Sequence, residues 1–252
     1  MTTGIGVSVV EELVESKDRT KALLRSWRPR DVRAALLAVH EPGSNGARYR
    51  ELAHLLAEHG IAICAADLRA GAHRVMPIRR HLPDVRAMMR RVRQRDPSSP
   101  TFMCGHGTGA AIACHYAVRH EGELDGLICE GLVLEPPWRA AFRRKFPRLS
   151  DVLRGPGAAR GGYVRKPLRD LALPLLLLHG SEDETASPSG SEALHRHVAS
   201  TNKTLQVFEG YDHHLIDGPG HALVHDRIRQ WIQTQLESGS SRHRIGIEYI
   251  NE

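Results

Sequence analysis

Residues 105–109 read Gly105-His106-Gly107-Thr108-Gly109, between an apolar run and a run of helical character. The pattern Gly-x-Ser-x-Gly on a tight strand-to-helix turn lifts a serine hydroxyl clear of a sheet, ready to attack a carbonyl carbon. Here the central residue is Gly107, which has no side chain to attack with. The turn for serine acyl transfer is present and its nucleophile is not. Such a turn calls for an acid and a histidine further along. His179-Gly180-Ser181-Glu182-Asp183-Glu184 follows a later apolar run and puts acids on a loop. Glu209-Gly210-Tyr211-Asp212-His213-His214 follows the last internal run and puts histidines on another. In parallel sheets the loops at the carboxyl ends of the strands are where ligands bind.

Those loops need a scaffold, and the chain alternates short apolar runs with amphipathic patterns, as βαβ units and a parallel sheet require. The runs are residues 34–39, 61–65, 101–104, 127–134, 175–178 and 205–208. Several are continuously apolar, as strands covered on both faces should be. Tyr49, Leu52, Leu55 and Leu56 share one helical face. Leu82, Val85, Met88, Met89 and Val92 form a second stripe, and Ile228, Trp231, Ile232 and Leu236 a third. These stripes predict core-facing helices. The expected fold is α/β, a mostly parallel sheet flanked by helices in a single domain over 1–252. Residues 138–168, rich in Arg, Pro and Gly, read as a short basic cap inserted into it. Residues from about 238 to 252 read as a mobile tail.

From about Trp27 to Gln235 the chain resembles the monoacylglycerol-lipase-like and serine-aminopeptidase-like branch of the α/β hydrolases. The resemblance rests on His40 through Tyr49, Asp67-Leu68-Arg69, the Gly105–Gly109 turn, Pro174 through Gly180 with Asp183, Glu209-Gly210 with His213, and Pro219. It implies that Asp183 is the triad acid, His213 the triad base, and Gly107 the place of the missing nucleophile. The backbone N–H of Thr108 then takes the first oxyanion-hole position, after the nucleophile, with His40 and His106 lining the substrate side. His214 reads as a surface residue or as a support for the residues of the site. The family's His-Gly turn is His40-Glu41 here, and its Arg-Gly-His-Gly turn is Arg69-Ala70-Gly71-Ala72. A carboxylate at 41 opposes a developing oxyanion, yet it could serve as a second acid or base facing His213.

Composition narrows the rest. With 41% hydrophobic and 25% charged residues the chain is globular in character, and no apolar run reaches the roughly 20 residues of a membrane span. The first ten residues lack a basic stretch followed by an apolar core, so no secretory signal is read there. Cys64, Cys104 and Cys129 fall in strand-like runs and Cys114 on a helical one. Buried reduced thiols in a cytoplasmic protein are the expectation. No metal-ligand spacing occurs, and neither cofactor nor metal is expected. Residues 138–168 hold nine basic residues against Asp151 alone, while the whole chain carries only +6. Arg143, Arg144 and Lys145 there offer a surface for an anionic ligand or an acidic partner. No aromatic-interleaved basic groove points to nucleic acid. Three functional readings follow. The first is a non-covalent catalyst on a small carbonyl or acyl substrate, a lyase, isomerase, cyclase or water-mediated hydrolase using His213 and Asp183. The second is a silent pseudo-hydrolase that binds a ligand or partner. The third is an esterase or lipase whose serine has been replaced by glycine.

Overall fold

A computed structural model of the chain describes residues 6–41, 43–68, 78–133, 167–238 and 244–251. Nine strands form one sheet: β1 Ser8–Glu15, β2 Lys21–Arg28, β3 Ala34–Val39, β4 Ile61–Ala66, β5 Thr101–His106, β6 Gly126–Glu130, β7 Leu175–Gly180, β8 Asn202–Phe208 and β9 Arg244–Ile250. Their order is β1-β2-β4-β3-β5-β6-β7-β8-β9. β1 and β2 are antiparallel, as are β2 and β4, and every other pairing is parallel. The helices are α1 Arg50–Glu58, α2 Leu82–Arg95, α3 Thr108–Arg119, α4 Pro188–His197 and α5 His221–Ser238.

The six apolar runs are the six central strands. All residues of β3, β4, β5, β6 and β7 are buried, because helices cover both faces of the sheet. Val85, Met88, Met89 and Val92 of α2 join Ile112 of α3 and Leu194 of α4 in one core. Leu52 and Leu56 of α1 join Val224, Ile228 and Ile232 of α5 in the other. Each such side chain contributes about 1.5–3 kcal/mol when fully buried, before the entropy of ordering it. The four cysteines are free and buried, on the elements expected.

One expectation is corrected. Part of the tail read as mobile, residues 244–250, is β9, which pairs in parallel with β8 along seven residues. The Ser-Gly-Ser-Ser stretch before it suggested an end to structure, and hid an alternation of Ile245, Ile247 and Tyr249. Those three face solvent, while Glu248 turns inward and accepts a hydrogen bond from Gln206 at 2.7 Å. β1 and β2 were not read as strands either. β1 is mostly exposed and carries three glutamates. Its eight-residue register with β2 and the Arg25–Glu11 ion pair at 2.7 Å hold it instead of burial.

Of the cap at 138–168 only residues 167 and 168 are described. Arg143, Arg144, Lys145 and the Arg69–Ala72 turn lie outside the described residues.

The two outer glycines of the turn set how closely α3 meets the sheet. A Cβ on Gly109 would run into the Val39 carbonyl oxygen, and one on Gly105 would stand 2.5 Å from the Ala110 Cα. These neighbours are backbone and cannot swing aside. Gly109→Ala is therefore expected to lower the unfolding free energy by on the order of 3 kcal/mol. Urea denaturation measures it. A loss under about 1 kcal/mol would mean that the end of β3 does not press on the start of α3.

Candidate active site

The carboxyl ends of five parallel strands converge. β3 delivers His40 and Glu41, β5 delivers His106 and Gly107, and β6 delivers Glu130 and Gly131. The loop after β7 carries Asp183, and the loop after β8 carries His213.

Gly107 has φ 57° and ψ −121°. Its N–H donates to the Glu130 carbonyl at 2.9 Å. This is a positive-φ backbone that an L-residue adopts only under strain. The sharp turn forms with no side chain at its apex. A Cβ built there points at Glu41 Oε2, 2.7 Å away, and at His213 Nε2, 3.1 Å away. The Glu41 carboxylate therefore occupies the space into which a nucleophile on residue 107 would project.

Asp183, His213 and Glu41 form a line. Asp183 Oδ2 accepts from His213 Nδ1 at 2.7 Å, and its Oδ1 accepts from the N–H groups of Thr185 and Ala186 at 2.8 and 2.7 Å. His179 Nε2 lies 3.2 Å from the same Oδ2. Against burial, the hydrogen bonds from His179, His213 and Ala186 hold the Asp183 carboxyl well below the usual carboxylate range. On its other side His213 Nε2 faces Glu41 Oε2 at 3.5 Å, an ion-pair distance rather than a made hydrogen bond. Burial opposes charge on His213, but the two carboxylates outweigh it and raise its pKa to about 9. Burial likewise works against the Glu41 charge, and the charged His213, helped by Arg48, overcomes it, so the Glu41 pKa is lowered. At neutral pH the trio is carboxylate–imidazolium–carboxylate. A protonated His213 is an acid before it is a base, which reverses the role that the resemblance implied for the ground state.

The remaining expected residues are placed as follows. His40 sits under the loop, its Nδ1–H donating to the Glu41 carbonyl at 2.6 Å and its Nε2 accepting from Leu68 N–H at 3.0 Å. With both nitrogens used it holds the β3 and β4 loops and does not enter the site. His106 is fully buried, its Nδ1 accepting from the Arg48 guanidinium at 2.6 Å and its Nε2–H donating to the His213 carbonyl at 2.9 Å. Burial, and then the neighbouring Arg48, lower its pKa to about 3, so it is neutral. Thr108 opens α3 directly after the turn, where its N–H has the position of an oxyanion donor. The loop after β3 offers a carboxylate at 41 and, at 42, a proline with no N–H. The His214 side chain is exposed.

Two partners escaped the sequence reading. Arg48 ties His106 to Asp217, whose Oδ1 accepts from it at 2.8 Å. Glu130 is fully buried beneath the His213 loop, and its Oε1 accepts from Ile216 N–H at 3.1 Å. Burial pushes its pKa up to about 8. A lone acid inside the apolar run 127–134 was the available signal for Glu130. For Arg48 there was none.

Glu41, His106 and His213 also bring potential metal-ligand atoms within 4.8 Å of one another. The His106 Nδ1 lone pair, however, is taken by a guanidinium, and a cation there would face Arg48. The donor set suits a proton better than a metal.

A family model described as serine aminopeptidase, S33, matches residues 30–155 and 158–219. The chain belongs to that family. Monoglyceride lipase from Homo sapiens is 28% identical over 269 residues, covering 86% of this chain and 88% of that protein. Monoacylglycerol lipase from Mycolicibacterium smegmatis is 25% identical over 257 residues, covering 83% and 92%. Among solved structures, a soluble variant of monoglyceride lipase from Saccharomyces cerevisiae matches with a TM-score of 0.71 at 18% identity, covering 93% of this chain and 98% of that one. A carboxyl esterase from Bacillus coagulans matches with 0.72 at 16%, covering 92% and 100%. The fold is that of the α/β hydrolases. Among the described residues no helix is long and apolar enough to cross a membrane.

The charged trio has a consequence for stability. A His213 pKa of about 9, above the ordinary value near 6.5, adds stability that is fully present below pH 6.5. That stability is lost as pH rises through 9, and on the order of 3 kcal/mol is at stake. The lowered carboxylates act oppositely, adding stability above their usual range near 4 and losing it as pH falls. The urea midpoint is expected to decline between pH 6.5 and 9; Glu130, its pKa pushed up to about 8, adds to the fall up to that pH, and His213→Asn should remove the part that continues above it. A wild-type midpoint that stays flat across this window refutes a charged His213.

Proposed function

We propose that the protein is a non-covalent acid–base catalyst acting on a small carbonyl or acyl compound, with no acyl-enzyme formed on residue 107. The observation that carries this is the Glu41 carboxylate, lodged where a nucleophile would project and facing His213 Nε2 at 3.5 Å. Two titratable groups whose surroundings push their pKa values apart, facing each other at 3.5 Å, are a ready acid and base. Glu41, a carboxylate, takes a proton from the substrate or from a water. His213, an imidazolium, donates to the substrate oxygen, and Asp183 keeps its ring oriented. The N–H of Thr108 supports charge on the same oxygen. The names of the related lipases favour an acyl or carbonyl substrate. Had a serine hydroxyl simply been removed from an esterase, the space would be empty or open. Its occupation by a carboxylate favours acid–base chemistry over that reading.

Exchange of α-protons in D2O, followed by proton NMR over a panel of small ketones, β-dicarbonyls and acyl esters, tests the proposal. Both Glu41→Gln and His213→Asn should lower the exchange or turnover found by about 10²- to 10⁴-fold. A phosphonylating serine probe should leave the chain unlabelled. Turnover that survives both substitutions would sink the assignment.

A further inference from the structure

The end of β1, the turn after it, and α2 line a cleft of about 370 Å³ that shares no residue with the site around Gly107. Its basic lining comes from separate elements: Lys17 from the turn after β1, Arg79 from the short helical turn Ile78–Arg80, and Arg86 and Arg90 from α2. Leu82 and Pro83 add apolar surface at the start of α2.

The lining sets four basic side chains against a single acid. Arg25, Arg28, Arg48, Arg91, Arg95 and Arg229 each pair with a carboxylate. Among the described residues neither Lys17 nor Arg79, Arg86 or Arg90 makes such a pair. The Arg86 Nε is shielded from solvent and has no hydrogen-bond partner, a cost that proteins seldom leave uncompensated. Nearby acids are engaged: Glu12 with Arg91 and Arg95, and Glu123 with the Tyr116 hydroxyl. Glu15 is the one acid in the lining. His120 also lines the cleft. Burial, opposed by Glu123 and aided by Arg86, Arg119 and Arg90, keeps its pKa low, so it offers a neutral hydrogen-bonding edge rather than further charge.

We propose that this cleft binds a small phosphorylated molecule with an apolar body. The guanidinium forks of Arg86 and Arg90 suit a phosphate's oxygens. The volume is at the low end for small-ligand pockets, and Leu82 and Pro83 take the apolar part. A concave cleft favours a free small molecule over the flat phosphate array of a membrane. The site is independent of the chemistry at Glu41 and His213.

Phenyl phosphate carries both features and is the probe. Backbone amide spectra of the intact protein, titrated with it at low salt, should show saturable shifts at residues 15–17 and 79–90. Binding should weaken at near-physiological salt, because the contacts are charged and partly exposed. Arg86→Gln with Arg90→Gln should weaken it by at least about tenfold, whereas Arg86→Lys with Arg90→Lys should keep most of it. Benzyl alcohol, which lacks the charge, should not bind. Three results would overturn the proposal: no saturable shift, equal affinity in the glutamine variant, or shifts centred on Arg48 and Asp217. Capture by phosphatidylglycerol vesicles without any response to phenyl phosphate would overturn it too, by assigning the phosphate to a lipid surface. Circular dichroism of the glutamine variant separates lost binding from lost folding.

Discussion

Gly107→Ser alone is expected to leave ester hydrolysis at background, whereas the same change combined with Glu41→Gly should raise it about 10²- to 10³-fold. The turn itself is ready for a serine, since φ 57° and ψ −121° are already in place and His213 Nε2 would lie 3.1 Å from the new Cβ. What stands in the way is Glu41. Its Oε2 would be 2.7 Å from that Cβ, so the carboxylate must swing aside to admit the side chain. Wherever it settles nearby, a negative charge opposes the tetrahedral oxyanion, and removing one such defect is worth what adding one oxyanion donor is worth. The double variant clears both the space and the charge. It should still fall short of a complete esterase, because Pro42 offers no N–H to a second half of the oxyanion hole. Hydrolysis of short-chain p-nitrophenyl esters, with phosphonate labelling of the introduced serine, reads both steps. Strong activity in Gly107→Ser alone would mean that Glu41 does not hold the nucleophile's space in solution. The chain would then be a serine hydrolase lacking only its serine.

That experiment turns on a residue the sequence could name but not place. Glu41 stood out as a departure from a His-Gly turn, and its charge alone foretold a spoiled oxyanion hole. Its reach into the space above Gly107 depends on how the end of β3 lies against the start of α3, a contact that Gly109 makes and no local pattern announces. Asp183 and His213 were legible because their loops follow apolar runs in the order such a site demands. The protonation of His213 was not, since it arises from two carboxylates brought to one imidazole by loops after β3 and β7. His40 misled for a related reason: a histidine near a site reads as lining it, whereas it spends both nitrogens on backbone partners. The central strands could be read from continuous apolar runs. The outer strands β1 and β9 could not, because edge strands are held by pairing rather than burial and their apolar residues face water.

Asp183→Asn should have the second large effect, a fall of about 10³- to 10⁴-fold in whatever turnover the substrate panel reveals. The Asp183 carboxylate accepts the His213 Nδ1–H at 2.7 Å while two backbone N–H groups fix its other oxygen. An asparagine that keeps its amide oxygen on those N–H groups turns its NH2 toward Nδ1. His213 would then accept there, and its one remaining proton would sit on Nε2. The ring loses the partner that most strongly favours its charged form, so its pKa should drop from about 9 to below about 7. At neutral pH the acid of the proposed pair would then be mostly absent, and Glu41 would face a neutral imidazole. The Asn variant should therefore move the alkaline limb of the activity profile to lower pH, not merely scale the rate. NMR titration of the His213 ring shows the drop directly, with or without a substrate in hand. A ring that still titrates near 9 in Asp183→Asn would assign its charge to Glu41 alone and would remove Asp183 from the mechanism.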